Sequence, residues 1–219
     1  MHPSFSQNWL KEVLIYKFLK AIRQLSKRNI MKKLSKNFSL LFFIITLLFI
    51  ACGGESDVAL EVSTEEMLEE VEYLVITSRE HTDENVDYPT IPPAGGDHLG
   101  IWHTCGIYKV ELLDEAAVHS LEHGAVWVTY QPEIQKEELI KLTTMLSGNP
   151  KILLSPHSQQ GSPIVATAWG RRIELETSDD GKLEKFVDFF VDGEASPEAG
   201  ITCDRGIGRP PNDPYTLNR

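Results

Sequence analysis

Two histidines and a glutamate stand close together in the segment HSLEHG, residues 119–124. His119 and His123 are four residues apart, so on a helix both rings project from one face and can bind one ion. Glu122 lies three residues after His119, on nearly the same face. The order H-x-x-E-H is the inverted zincin pattern, in which two histidines bind zinc and the glutamate activates water. The segment therefore predicts a metal site, with a zinc hydrolase that uses Glu122 as catalytic base as one alternative.

A glycine-rich loop, GGDHLGIWH at residues 95–103, carries two further histidines. Its glycines allow the backbone to turn sharply against other elements. We expect His98 to be the third metal ligand, and Glu122 or His103 either to contact the ion or to support a ligand. Imidazole is the commonest metal ligand in proteins, and three imidazoles suit either copper or zinc. In the metal-free alternative, the histidines only lock loops through hydrogen bonds.

Ligation of one ion by His98 and the helix pair has a geometric consequence. Imidazole nitrogens coordinate zinc at about 2.0–2.1 Å, so the ring nitrogens should lie within roughly 3–4 Å of one another. A separation of more than about 8 Å between His98 and His119 would remove His98 from the site.

The pattern of apolar residues predicts a mixed α/β domain. The predicted elements follow the order β-α-β-α-β-β-α, and in numbers they are strand 106–113, helix 115–123, strand 125–130, helix 132–146, strands 151–156 and 164–175, and helix 183–191. This order indicates a two-layer sandwich with a mixed sheet. It also fits a thioredoxin-like core, although the chain has no CxxC motif and thioredoxin chemistry is not supported.

The N-terminal region has the layout of a bacterial lipoprotein signal. A basic run at residues 32–36 precedes the uncharged stretch FSLLFFIITLLFIAC, which ends at Cys52 and is shorter than the roughly 20 apolar residues of a membrane-spanning helix. We therefore expect residues 1–30 to be an overextended start, residues 31–51 a signal peptide, and Cys52 the lipidated N-terminus. An uncleaved anchor helix and a genuine basic extension are the alternatives.

The remainder divides by composition. We expect an acidic spacer with a short helix, spanning Thr64 to Ile76, in residues 52–87, a globular domain at 88–200, and an irregular tail at 201–219. Without residues 1–51 the chain has 12 basic and 31 acidic residues, a formal charge of −19. Such a charge argues against nucleic acid as a partner. Cys105 and Cys203 are the two cysteines left after Cys52, and in an oxidising compartment they are candidates for one disulfide.

Four sequence blocks together resemble the uncharacterised domain-of-unknown-function family 3105. The blocks are PPAGGDH, VHSLEHGAVWVTYQP, TAWGR and SPEAG. The matched positions are Pro92, Pro93, Gly96, His98, His119, Leu121, Glu122, His123, Gly124, Ala168, Trp169, Gly170, Pro197 and Glu198. The resemblance implies an exported or membrane-anchored domain and brings no established activity.

The sequence favours a lipid-anchored extracytoplasmic domain, periplasmic or on the outer face of the cell, that binds copper or zinc through its histidine cluster. The membrane is the expected partner through the lipid anchor. The zinc hydrolase of the H-x-x-E-H type and a metal-free module that binds an envelope protein stay as alternatives.

Overall fold

A six-stranded mixed sheet organises the protein in the computed structural model, which describes residues 63–179 and 181–218. The elements in chain order are α1 (Thr64–Glu70), β1 (Glu72–Tyr73), β2 (Gly106–Ile107), α2 (Asp114–Glu122), β3 (Val126–Tyr130), α3 (Lys136–Leu146), β4 (Ile152–Pro156), β5 (Ile164–Ala168), β6 (Arg171–Leu175), α4 (Lys182–Phe190), β7 (Ile207–Arg209) and β8 (Asp213–Leu217). The predicted signal peptide and Cys52 lie outside the described residues. Within those residues, no helix is long and apolar enough to cross a membrane.

The sheet combines parallel and antiparallel pairs in the order β1-β6-β5-β3-β4-β2. Strand β4 pairs in parallel with both β3 and β2, while β5 pairs antiparallel with β3 and β6. The predicted mixed α/β class is therefore confirmed. The finer thioredoxin-like assignment stays a prediction.

Helices cover both faces of the sheet, so three layers stack where two were expected. Alternate residues of β3 show this, because Val126 and Val128 pack with α1, α3 and α4, whereas Trp127 packs with α2 on the opposite face. The burial of every residue from Val126 to Tyr130 agrees with a strand that is covered on both sides.

The predicted strand at 164–175 is a hairpin of two strands, β5 and β6. The chain reverses at Trp169 and Gly170, and Gly170 has a φ of 68°, which an L-residue adopts only at a cost. Ala168 and Arg171 are paired across this turn. The chain therefore has one strand more in this region than the predicted order.

The two ends of the described region also differ from the expected layout. The helix predicted to reach Ile76 ends at Glu70, and β1 then pairs with β6 at the edge of the sheet. Ser63 caps this helix by accepting a hydrogen bond from the backbone N–H of Glu66. The tail predicted as irregular contains the β7–β8 hairpin. A disulfide between Cys105 and Cys203 joins the tail to the segment before β2, which confirms the predicted pairing.

Candidate metal centre

His81 and His98 are brought together by backbone pairing between two loops. They form an isolated parallel bridge, in which the N–H of Thr82 donates to His98 O at 2.8 Å and the N–H of His98 donates to Glu80 O at 3.0 Å. The ring centroids of the two histidines are 5.0 Å apart. His81 thus joins the site, although its sequence position in the acidic spacer gave no indication of this.

The carboxylate of Asp97 fixes this pairing from the loop side. It accepts hydrogen bonds from the Ser78 hydroxyl and from the backbone N–H of Glu80, the latter at 2.8 Å. Tyr88 donates from its hydroxyl to Asp97 O at 2.7 Å. The hydrogen bonds from Ser78 and Glu80 lower the pKa of Asp97 and hold the segment 78–81 against the loop.

Gly95 allows the loop to lie flat against the sheet. Its φ is 141°, and a Cβ at this position would lie 2.9 Å from Ile76 Cδ1 and 3.4 Å from Trp169 Cδ2. Trp169 in turn meets the His98 ring edge-on, with centroids 6.0 Å apart. The glycine therefore lets the loop pack closely against Trp169, which also contacts the His98 ring.

Helix α2 supplies the other side of the site. His119 and Glu122 lie one turn apart on its buried face, and His123 is the residue that ends the helix. Gly124 follows with a φ of 92° and lies close to Asp192. The conformation of Gly124 turns the chain directly into β3. The predicted helix at 115–123 is thus present, shifted by one residue.

Four side chains meet where the loop and the helix touch. One ligand atom from each of His81, His98, His119 and Glu122 lies within 4.8 Å of the other three, and we refer to these residues as the first group. His98, His119 and Glu122 are buried and His81 is exposed. The predicted approach of His98 to His119 is present, with ring centroids 4.8 Å apart.

Backbone carbonyls fix which nitrogen of each buried ring carries a proton. His98 Nδ1 lies 2.9 Å from Gly96 O, and His119 Nδ1 lies 2.7 Å from Leu99 O. A carbonyl oxygen can only accept, so each Nδ1 must be the donor. Burial, together with the neighbouring His98 and His81, lowers the pKa of His119. At neutral pH, His119 therefore presents the lone pair of its Nε2, which is the form that binds a metal.

Glu122 is buried between two basic side chains. Its Oε1 accepts from Arg79 Nη1 at 3.1 Å, and its Oε2 lies 3.0 Å from His98 Nε2. Although this second distance is short, His98 Nε2 makes no hydrogen bond of normal geometry. The His98–Glu122 contact therefore places a nitrogen and an oxygen side by side without a ring N–H directed between them.

His123 belongs to a different set of ligand atoms. His119, His123 and Glu198 each offer one atom within 4.8 Å of the other two, and we refer to them as the second group. His123 Nε2 lies 3.4 Å from Glu198 Oε2, and burial followed by the nearby His119 lowers the pKa of His123 to about 4. The structure thus brings His98, His119 and Glu122 together but places His123 on the far side of His119.

His103 and His157 lie outside both groups. His103 is buried, and its Nε2 accepts a hydrogen bond from the N–H of Leu113 at the start of α2, at 3.0 Å. Burial lowers the pKa of His103 to about 4. His157 Nε2 lies 3.3 Å from Asp114 Oδ1. Both histidines therefore contact the N-terminal end of α2, away from the ligand atoms at its C-terminal end.

Glu198 reaches the site because the tail is attached to α2. Its backbone N–H donates to Glu122 O at 3.0 Å. Sequence reasoning included Glu198 in the family pattern but did not place it beside the histidines. A late Pro-Glu pair carries no signal of its own, because its position depends on how the tail folds back over the helix.

Comparison with known proteins gives one match. No curated protein and no solved structure is significantly similar to the chain. Residues 80–205 match the family described as "Protein of unknown function (DUF3105)". This range holds both ligand groups and the disulfide and extends over more than half of the sequence. The chain therefore belongs to the DUF3105 family.

Proposed function

We propose that this protein is a lipid-anchored extracytoplasmic domain that binds one copper or zinc ion through His81, His98, His119 and Glu122. The set differs from the ligands predicted from sequence in one histidine, since His81 replaces His123, and it takes Glu122 as a direct ligand. His103 has no part in it, because it lies outside both groups of ligand atoms and its Nε2 accepts a hydrogen bond from the N–H of Leu113.

The contact between His98 Nε2 and Glu122 Oε2 carries the proposal. His98 already donates from Nδ1, so its neutral form has a lone pair on Nε2 that faces a carboxylate oxygen 3.0 Å away. Two acceptors at this distance repel each other unless a proton or a cation lies between them. A bound metal ion supplies the missing positive charge and uses both lone pairs. Tetrahedral ligands at about 2.0–2.1 Å from zinc also stand a little over 3 Å apart.

The donor atoms favour zinc or copper(II). The first group offers imidazole nitrogen and carboxylate oxygen, a set that suits these ions better than copper(I), which prefers sulfur. Cys105 and Cys203 are joined in the disulfide and cannot ligate as thiolates. The hydrogen bonds from the His98 and His119 rings to backbone carbonyls orient these rings. Metal-bound histidines are commonly oriented by the same kind of hydrogen bond.

The cellular location is proposed from the sequence and agrees with the disulfide. Disulfides persist in compartments outside the cytoplasm, where the signal peptide would deliver the chain. Mass spectrometry of protein purified from membranes should detect a chain that begins at an acylated Cys52. Detection of an intact chain with an unmodified Cys52 would contradict lipid anchoring.

Calorimetry with elemental analysis tests the metal proposal. Protein purified without a His tag should bind one zinc or copper ion. His119→Ala should weaken binding at least tenfold, because a loss of about 1.4 kcal/mol in binding free energy lowers the affinity tenfold. His157→Ala is the matched control, because His157 is a buried histidine outside both groups. Wild-type protein that binds neither ion would refute the proposal. In that case the histidines would only lock the loops through hydrogen bonds, which is the metal-free alternative.

Glu122 is better suited to ligation than to the hydrolase alternative. A catalytic base must be free to take a proton from water, whereas Glu122 contacts both Arg79 and His98. The H-x-x-E-H mechanism also needs His119 and His123 on the same ion, whereas the ion proposed here is bound by His81, His98, His119 and Glu122. We therefore propose binding rather than hydrolysis.

A further inference from the structure

The second group, formed by His119, His123 and Glu198, lies directly beside the first and shares one residue with it. The His119 and His123 rings are perpendicular, with centroids 4.7 Å apart. His123 is 2% exposed, and its Nδ1 makes no hydrogen bond of normal geometry. A buried imidazole without a full set of partners, next to a carboxylate, is an arrangement that a cation would stabilise.

The shared histidine can serve only one group at a time. Because His119 Nδ1 donates to Leu99 O at 2.7 Å, Nε2 is the one nitrogen left for a metal. A single lone pair cannot bind two ions. Two ions in adjacent groups would also repel each other at short range. The two groups are therefore alternatives for one ion rather than a two-metal centre.

Each group has one ligand that reaches solvent. His81 is exposed in the first group, and the Glu198 side chain is 45% exposed in the second. The shared His119 is buried between them, and the Trp102 ring lies across it, with its centroid 5.5 Å from that of His119 and 4.7 Å from that of His123. An ion could thus enter or leave on either side while His119 stays bound to it.

We infer that His119, His123 and Glu198 form a second coordination position, and that one copper or zinc ion passes between the two positions by ligand exchange around His119. This inference rests on the proposed function. In the exchange, the ion releases His81, His98 and Glu122 and gains His123 and Glu198, with no change in its oxidation state. The chain would then both hold a metal and pass it from one side of the site to the other.

Electron paramagnetic resonance of the copper(II) protein tests this inference, because each set of ligands gives its own spectrum. We expect one copper per wild-type chain and a spectrum that is the sum of two signals. A first-position variant, His81→Ala with Glu122→Gln, should keep only one signal. A second-position variant, His123→Gln with Glu198→Gln, should keep only the other. If the two positions are about equally occupied, each double variant lowers the association constant about twofold.

Several outcomes would overturn the inference. A second-position variant with the wild-type spectrum would show that the second group binds nothing, and two coppers per wild-type chain would show that the positions are not alternatives. Absence of copper binding by the wild type would instead refute the proposed function itself. Because His123 is buried, Glu198→Gln alone serves as a second variant. The Glu198 side chain is half exposed, so this variant should fold normally, and the signal of the second position should still change.

Discussion

Acidification should destabilise the metal-free protein through His103, a buried histidine away from both ligand groups. Burial lowers its pKa from 6.5 to about 4, while the unfolded chain keeps the ordinary value. Between these two values the unfolded state binds a proton that the folded state does not. The stabilising contribution is therefore fully present above pH 6.5 and is lost as the pH falls towards 4.

The size of the effect follows from the two pKa values. Within this window the free energy of unfolding falls by about 1.4 kcal/mol per pH unit for each such histidine. Going from pH 7 to pH 5 should therefore cost about 2 kcal/mol through His103, since the first half unit lies above the window. His123, whose pKa is also about 4, should add a similar amount.

Urea unfolding in the presence of EDTA, at pH 7 and pH 5, measures this dependence. His103→Gln removes the titrating ring but keeps an acceptor for the N–H of Leu113. We expect the loss between pH 7 and pH 5 to be smaller in this variant by about 2 kcal/mol. An equal loss in the variant and the wild type would refute the reasoning, whatever the absolute stability of the variant.

Three further predictions concern single contacts. Gly124→Ala should lower the free energy of unfolding by about 2–3 kcal/mol, because the residue has a φ of 92° and the new Cβ would lie 2.5 Å from Asp192 Oδ1. Gly148→Ala is its control, because Gly148 has a φ of 86° but no atom lies within 4 Å of the added Cβ. This variant should lose about 1 kcal/mol of unfolding free energy. Equal losses for the two variants in urea unfolding would contradict the steric argument. Replacement of Cys105 and Cys203 by serine should cost about 2–5 kcal/mol in the same assay, because the disulfide closes a long loop with a sequence separation of 98 residues. Arg79→Ala should strengthen zinc binding several-fold in low-salt calorimetry, because it removes a cation from Glu122; weaker binding would show that Arg79 supports the site instead.

Sequence reasoning succeeded where a local pattern determines the structure. The spacing of His119 and Glu122 requires a helix to bring them to one face, and α2 is such a helix. The loop at 95–98 was expected to approach that helix because its glycines permit close packing, and His98 does lie beside His119. The cysteine pair followed from the compartment rather than from geometry.

The failures share a dependence on distant contacts. His81 enters the site through a bridge to His98, and no periodicity near residue 81 indicates such a pairing. His123 was expected in one set with both His98 and His119, yet it ends the helix, and its ligand atom lies with those of His119 and Glu198. The second helical layer was missed, although the continuous apolar run of β3 is typical of a strand buried on both faces.

The short edge strand β1 has a consequence for how the first group opens and closes. It is attached to β6 by only two residue pairs, and the segment that carries His81 follows it directly. Regions with few buried contacts open locally at much lower free energy than the core. The amides of Thr82 and His98 should therefore exchange with solvent deuterium sooner than those of β3. An ion bound to both His81 and His98 would join the two loops, so metal loading would slow that exchange and leave the core unchanged.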